Sequence, residues 1–128
     1  SADFPTWAKR ISTWDFDMTM DNVFNWGDPV IGVHRTYSSD NIKEGVIWSN
    51  TQQYSNARVD ELMEMAGSTN DPAKRKELYA EFQQIIANEL PLYPLWASTY
   101  HTVSSNDVGN APVSVWGTSR PLDRVYLK

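Results

Sequence analysis

Apolar residues recur at helical spacing in a stretch near the middle of the chain. Val59, Leu62, Met63 and Ala66 fall on one face of a helix. Asn56 stands where a side chain caps the first turn, and Gly67 stands where a left-handed residue ends the last one. The pattern therefore predicts an amphipathic helix between Asn56 and Gly67.

A second amphipathic helix follows after a short polar break. Asp71 is positioned to cap it, and Pro72 suits the first helical position because its missing N–H group would be unpaired there anyway. Pro91 ends the helix by removing a donor. Its apolar stripe consists of Leu78, Phe82 and Ile85, with Tyr79 and Ile86 beside it. The spacing thus predicts a helix pair between Tyr54 and Leu90.

The first half of the chain mixes helical and alternating patterns. Trp7, Ala8 and Ile11 share a face, which predicts a helix over Phe4–Thr13. The next nine residues alternate between apolar and polar, which predicts a half-buried strand over Trp14–Asn22. Further along we expect a helix over Pro29–Tyr37 capped by Asp28, then a long loop over Ser38–Gln53 with a short strand at Gly45–Trp48.

After the helix pair the chain is rich in β-forming residues separated by turn signals. It predicts short strands at Leu92–Leu95, Thr99–Ser104, Val113–Trp116 and Arg124–Leu127, with a turn-rich stretch over Ser105–Pro112.

Composition narrows the classes of function. The 128 residues are 41% hydrophobic, carry a net charge of −5 and contain no cysteine, and the pI is about 4.8. An acidic chain argues against a nucleic-acid partner, because phosphate binding needs clustered Lys and Arg. Thiolate chemistry is excluded, and no apolar run is long enough to span a bilayer.

Few residues suggest catalysis. Asp15, Asp17 and Asp21 share one face of the predicted strand, an arrangement open to a small metal- or carboxylate-dependent hydrolase. A solvated strand face looks the same and is the favoured interpretation. His34 and His101 have no metal-ligand spacing. We therefore predict no catalytic residue, no metal and no cofactor.

The order of sequence motifs across the helix pair is more specific for a protein family than either helix alone. V-D-E-L, D-P-A-K-R-K-E-L-Y-A-E-F-Q-Q-I and E-L-P-L-Y-P-L follow one another between residues 59 and 95. This order resembles the C-terminal part of family 5 solute-binding proteins of ABC importers, which bind peptides, dipeptides or nickel. The resemblance implies an α/β type II periplasmic binding fold with two lobes that close on a solute. It also implies a non-enzymatic protein, periplasmic or membrane-associated outside the cell, that delivers its solute to membrane permease subunits.

The resemblance also marks candidate ligand-binding residues. The segment W-A-K-R-I-S-T-W-D-F-D-M-T-M resembles the family segment that leads into the ligand cleft, and the G-D-P turn at 27–29 follows it. Peptide-binding relatives carry an aromatic residue and then an aspartate here, and that aspartate holds the α-amino group of the peptide. In this chain Asn25 or Trp26 takes that place, which puts α-amino recognition in doubt. An asparagine both donates and accepts, which suits amides, sugars or modified peptides.

Four residues are predicted to bind the solute: Phe24, Asn25, Trp26 and, just after the proline run, Trp96. His34 and Arg35 follow the G-D-P turn, where an anionic ligand group would meet them, although exposure to solvent is the favoured interpretation.

The resemblance covers only the last quarter or so of such a protein, so we expect the chain to be a C-terminal segment. Ser1-Ala2 resembles the remnant of an expression tag. The rest divides into a strand and cleft-loop region (3–53), the two-helix element (54–90) and return strands (91–128). Surface left uncovered in an isolated segment predicts self-association.

Overall fold

The computed structural model of the chain describes residues 2–99, 101–112, 116 and 120–128. It divides into two compact units, Ser1–Tyr93 and Pro94–Lys128. The first unit holds the helices: α1 (Phe4–Ser12), α2 (Pro29–Gly32), α3 (His34–Tyr37), a 3-10 turn (Ser39–Asn41), α4 (Ala57–Ser68) and α5 (Pro72–Glu89). The second holds two short strands, β1 (Val108–Gly109) and β2 (Tyr126–Leu127).

The helix pair predicted from the sequence is confirmed and forms the core. Val59, Leu62, Met63 and Ala66 of α4 are buried against Leu78 and Phe82 of α5. The Asn56 side chain accepts from the Arg58 and Val59 amides, and Asp71 does the same at the start of α5. Leu90 then adopts a left-handed conformation, with φ of 46°, just before Pro91. Burial of this apolar face stabilises the unit by about 25 cal/mol per Å² of apolar surface.

The prediction that Gly67 ends α4 is wrong. The helix continues through Ser68, and its cap Thr69 is extended rather than left-handed. The Arg75 side chain explains this, since its Nε donates to the Ala66 carbonyl at 2.9 Å. A carbonyl of the last turn therefore has a partner from α5, and a glycine cap is not needed to satisfy it.

The helix predicted at the start of the chain is confirmed as α1, but the strand predicted over Trp14–Asn22 is wrong. Trp14 has φ of 56°, and the amide and carbonyl of Asp15 bond back to Arg10, at 2.9 Å in both cases. These groups are therefore not free for a β-ladder. Beyond them the segment is exposed, with Met18 at 89%.

The helix predicted after the G-D-P turn forms as two short helices that part at Val33, with Asp28 as the predicted cap. The loop after it is irregular as predicted, but the strand expected at Gly45–Trp48 is absent over those described residues. Gly45 and Trp48 have φ of 87° and 55°, which no strand accommodates.

A buried side chain holds that loop in place of a strand. Asn50 is fully buried, and its Nδ2 donates to the carbonyls of Ser38 at 2.9 Å and Tyr54 at 2.7 Å. Its Oδ1 accepts from the Tyr54 amide at 2.9 Å. One amide group thus ties both ends of the loop together.

In the second unit β1 and β2 pair antiparallel, Val108 with Leu127 and Gly109 with Tyr126. The strand predicted within Arg124–Leu127 is confirmed over its last two residues. The strands predicted at Leu92–Leu95 and Thr99–Ser104 are wrong over their described residues. In the first, Pro94 has no backbone N–H group to donate to a ladder. In the second, Val103 is 93% exposed and has no pairing strand among the described residues. The strand predicted at Val113–Trp116 lies outside the described residues, except for Trp116.

Candidate ligand-binding segment

An extended stretch carries three of the four residues predicted to bind a solute. Over residues 23–26 the backbone has no regular hydrogen-bonded structure. Side chains two residues apart on an extended chain share a face, and the rings of Phe24 and Trp26 are indeed stacked, with centroids 5.7 Å apart and planes 16° from parallel. Phe24 remains 40% exposed. Residues 24–26, which we call the recognition segment, therefore present an aromatic surface that solvent reaches.

Gly32 holds the main chain of the recognition segment against α2. A Cβ atom added to Gly32 would lie 2.5 Å from the Phe24 carbonyl oxygen and 3.0 Å from the Asn25 Cα and the Trp26 nitrogen. Only a glycine permits backbones to approach this closely. The helix thus fixes the path of the recognition segment through main-chain contact.

The G-D-P turn is fastened to the helix pair by an ion pair. Asp28 Oδ1 accepts from the Val30 amide at 3.0 Å, which caps α2. The two carboxylate oxygens of Asp28 also accept from Arg75, at 2.8 Å from Nη2 and 3.1 Å from Nη1. The hydrogen bonds from Arg75, and then the one from Val30, hold the pKa of the Asp28 carboxyl below its usual range. Such two-pronged pairs fix orientation as well as charge.

Two further side chains extend this arrangement. The Arg75 guanidinium lies over the Tyr79 ring, 5.6 Å from its centroid, and the Tyr79 hydroxyl is 2.9 Å from His34 Nε2. Partial burial lowers the pKa of His34, while the charge of Asp28 raises it. His34 is therefore hydrogen-bonded within the protein rather than simply exposed to solvent.

The structure brings Phe24, Asn25 and Trp26 together on one segment. Trp96 belongs to the second unit, where it is 69% exposed and its Nε1 donates to Ser98 at 3.2 Å. All four stay predictions.

The three aspartates of the hydrolase alternative are not gathered into a site. Asp15 pairs with Arg10 at 3.2 Å, and Asp21 accepts from its neighbouring Asn22 amide at 2.6 Å. Across the described part of the chain, no group of three or more His, Cys, Asp or Glu residues is arranged to hold a metal ion.

A shallow depression of about 390 Å³ lies beside the start of α5. Arg75 and Tyr79 line it, together with Pro29 and Lys76. Arg75 already binds Asp28, so this depression is a weaker candidate for recognition than the aromatic segment.

Sequence reasoning identified Asp28 as a cap but missed its partner. Arg75 belongs to a run of charged residues on the polar face of α5, and its spacing gives no sign of a contact 47 residues away. Gly32 did carry a sequence signal. An isolated glycine inside a helical pattern can indicate close packing against that face of the helix.

The chain has relatives among curated solute-binding proteins. It is 27% identical over 118 residues to a dipeptide-binding protein of Pseudomonas aeruginosa, and the alignment covers 89% of this chain and 21% of the relative. The di/tripeptide-binding protein 3 of another strain of that species is 26% identical over the same share of both chains. A 46-residue stretch is 48% identical to the glutathione-binding protein GsiB of Escherichia coli, covering 36% of this chain and 9% of that protein.

These relatives are family 5 solute-binding proteins, and they confirm the resemblance found in the sequence. No family model and no solved structure matches the chain. The chain spans about a fifth of the length of the Pseudomonas relatives. None of the helices among the described residues has both the length and the apolar character needed to cross a membrane.

Proposed function

We propose that this chain is part of the substrate-binding component of an ABC-type importer, which captures a peptide or similar small solute and delivers it to a membrane permease. The observation that carries the proposal is the alignment of 89% of the chain with a dipeptide-binding protein. Capture is non-covalent, and the protein works in the periplasm, or outside the cell at the membrane surface in a source without an outer membrane.

The proposed fold is the C-terminal part of a type II periplasmic binding protein, with helices and a small sheet in the part described here. Residues 3–53 supply the cleft loop, residues 54–90 the supporting helix pair, and residues 91–128 return toward the other lobe. Binding closes the two lobes about a hinge. The buried face of α4 and α5 makes this element a scaffold. The stacked rings of Phe24, which is exposed, and Trp26, which is half-buried, suit contact with a ligand.

The recognition segment, with Trp96, supplies the proposed ligand contacts. Stacked aromatic rings offer a large rigid surface for an apolar or planar group of the solute, and Asn25 supplies a neutral donor and acceptor beside them. A segment held by main-chain contact at Gly32 and by the Asp28–Arg75 pair loses little conformational freedom on binding.

Titration calorimetry on the full-length gene product tests this proposal. Alanyl-alanine, trialanine and glutathione are the probes, and native mass spectrometry of the protein as purified identifies any solute it already holds. We expect binding of at least one peptide-type solute. Absence of a bound solute and of binding to all three probes would overturn the proposal.

Variants then test the segment. Trp26→Ala should weaken binding about tenfold or more, because removing an aromatic contact costs about 1 kcal/mol beyond the area it buries. Tyr93→Ala is the matched control, since Tyr93 is 78% exposed and outside the segment. An equal effect of both variants would mean that the segment does not contact the solute.

Asn25→Asp tests the departure from the peptide-binding pattern. The new carboxylate should strengthen binding of a peptide with a free α-amino group relative to its N-acetylated form, because it adds a charge-assisted hydrogen bond. If the ratio of affinities for the free and N-acetylated peptides is the same before and after the change, Asn25 does not contact the α-amino end of the solute.

A further inference from the structure

Three aromatic rings of the first unit meet outside the recognition segment. Phe4 and Trp7 lie about one turn apart on α1, and their rings stack with centroids 5.6 Å apart and planes 28° from parallel. Trp48, from the long loop, stacks on Phe4 with centroids 6.2 Å apart and planes 30° from parallel. Phe4 and Trp48 remain 58% and 43% exposed. Phe4, Trp7 and Trp48, which we call the aromatic stack, therefore present ring surface that a ligand can reach.

One stretch of chain holds the polar edges of both indoles. Trp7 Nε1 donates to Thr19 Oγ1 at 3.1 Å. The Trp48 indole, whose single donor is Nε1, hydrogen-bonds to the Asp21 carboxylate. Thr19 and Asp21 are two residues apart in the sequence. Their side chains therefore both reach the aromatic stack and fix the orientation of its rings.

The long loop holds Trp48 in a conformation that a large side chain rarely adopts. Its φ is 55°, in the left-handed region, and such a conformation persists only where the surrounding structure enforces it. The Gly45 amide donates to the Ser12 carbonyl of α1 at 2.7 Å. On the other side of Trp48, the fully buried Asn50 side chain bonds to two carbonyls. The Trp48 ring is therefore positioned before any ligand arrives, which lowers the entropic cost of binding.

Asp21 places a negative charge at the edge of the aromatic stack. Desolvation has the largest effect on its carboxyl group and raises the pKa, although Asp21 still reaches water. Hydrogen bonds from the Asn22 amide and Trp48 lower the pKa, and the charge of half-buried Arg35 has the smallest effect, also lowering it. A carboxylate that has lost part of its hydration, with only a weakly acting cation nearby, is stabilised by a further cation.

We propose that the aromatic stack and Asp21 bind an alkylated ammonium group, such as that of choline. The face of an aromatic ring attracts a cation, and tryptophan does so most strongly. An alkylated ammonium has no N–H group that needs an acceptor, so ring faces suit it, while the Asp21 charge adds to the attraction. This site goes beyond the proposed function and uses none of the residues predicted to bind the solute.

Titration calorimetry on the full-length protein compares choline with neohexanol, its uncharged carbon analogue of nearly the same shape. We expect a preference for choline of about two- to thirtyfold, the range for a cation on exposed to desolvated ring faces. Phosphatidylcholine vesicles carry the same group. Protein that binds choline without sedimenting with these vesicles takes the group from a free solute, whereas protein that sediments with them takes it from a lipid.

Substitutions then assign the preference to the site. Trp48→Leu should reduce it to less than about twofold, and Trp48→Phe should keep part of it, because a phenyl face also attracts a cation. Asp21→Asn should lower it as well, since the charge is removed while the shape is kept. Tyr93→Leu and Asp17→Asn are the matched controls, because Tyr93 is 78% exposed outside the stack and Asp17 is an exposed aspartate earlier in the same stretch. Both should keep the wild-type preference.

Equal affinity of the wild type for choline and neohexanol would overturn the inference. A Trp48→Leu protein with the full preference for choline would overturn it too. If Trp48→Leu does not fold, Asp21→Asn decides, because it leaves all three rings in place. An unchanged preference in Asp21→Asn would then refute the site.

Discussion

Replacing Gly32 with alanine tests how the recognition segment is held. The new methyl carbon would lie 2.5 Å from the Phe24 carbonyl oxygen and 3.0 Å from two main-chain atoms of Asn25 and Trp26. Main-chain atoms cannot rotate away as a side chain does. To restore ordinary van der Waals contact, the segment must move by about 0.9 Å relative to α2.

The magnitude follows from two opposing effects. Overpacking of this kind costs about 1–3 kcal/mol, whereas exchanging glycine for alanine in a helix gains up to about 1 kcal/mol. We therefore expect the free energy of unfolding to fall by up to about 2 kcal/mol, which is the cost of overpacking less the full gain from the exchange. Urea denaturation followed by tryptophan fluorescence measures it, and solute affinity should fall as well, because the segment is displaced.

Two other glycines provide controls. A Cβ atom on Gly67 would make ordinary contacts of 3.7 Å with Val30 and 3.9 Å with His34, and one on Gly27 would meet nothing within 4 Å. Neither has a positive φ. Gly67→Ala should stabilise the protein by about 0.4–1 kcal/mol, and Gly27→Ala should be neutral or slightly stabilising. If Gly32→Ala behaves like Gly67→Ala, the close approach does not hold the segment.

Three further predictions concern the supports around the segment. Asn50→Ala should lower the free energy of unfolding by about 1–3 kcal/mol in chemical denaturation, because it leaves buried backbone groups unpaired, while exposed Asn88→Ala should stay within about 0.5 kcal/mol. Asp28→Asn and Arg75→Met should each lower the melting temperature, because either change breaks the shared ion pair. The double variant should therefore be destabilised by less than the sum of the two single effects. If the two effects simply add, the pair does not contribute to stability. The folded protein holds the pKa of His34 below its unfolded value of 6.5, so the unfolded chain takes up a proton first as pH falls. Stability should therefore decrease below about pH 6.5, and a His34→Gln variant with the same decrease would show that other groups cause it.

Local patterns predicted the helices well because their determinants are local. Asn56, Asp71 and Pro72 define the helix starts within a few residues, and the apolar spacing defines the buried faces. Gly67 shows the limit of that reasoning. Whether a helix ends there depends on Arg75, a residue of the next helix, which bonds to the Ala66 carbonyl.

The strands were predicted poorly because a strand depends on a partner. Alternation over Trp14–Asn22 indicates an extended, half-buried chain, but it cannot show whether a ladder is available. In this structure the Asp15 main chain bonds to Arg10 instead. β2 forms because Val108 and Gly109 pair with it. Those two residues lie in the stretch that the sequence predicts to be rich in turns, so the partner strand could not be anticipated.

The candidate site was predictable in part. The aromatic pair could be anticipated from its place before the G-D-P turn, and the resemblance named those positions. The Asp28–Arg75 pair and the stacking of Trp48 on Phe4 depend on contacts between distant parts of the chain. Periodicity carries no information about such contacts.

The buried side chain of Asn50 has a consequence for how the first unit is degraded. Long irregular loops are usually where proteases cut, because they open by local fluctuation. Both ends of this loop are joined through one buried amide, so a protease must first break those bonds. The chain around Met18 and Met20 is held by a weaker tie, an exposed hydrogen bond from Trp7 Nε1 to Thr19 Oγ1 at 3.1 Å, and the two methionines are 89% and 64% accessible. Limited proteolysis should therefore separate α1 from the rest of the unit while the long loop remains intact.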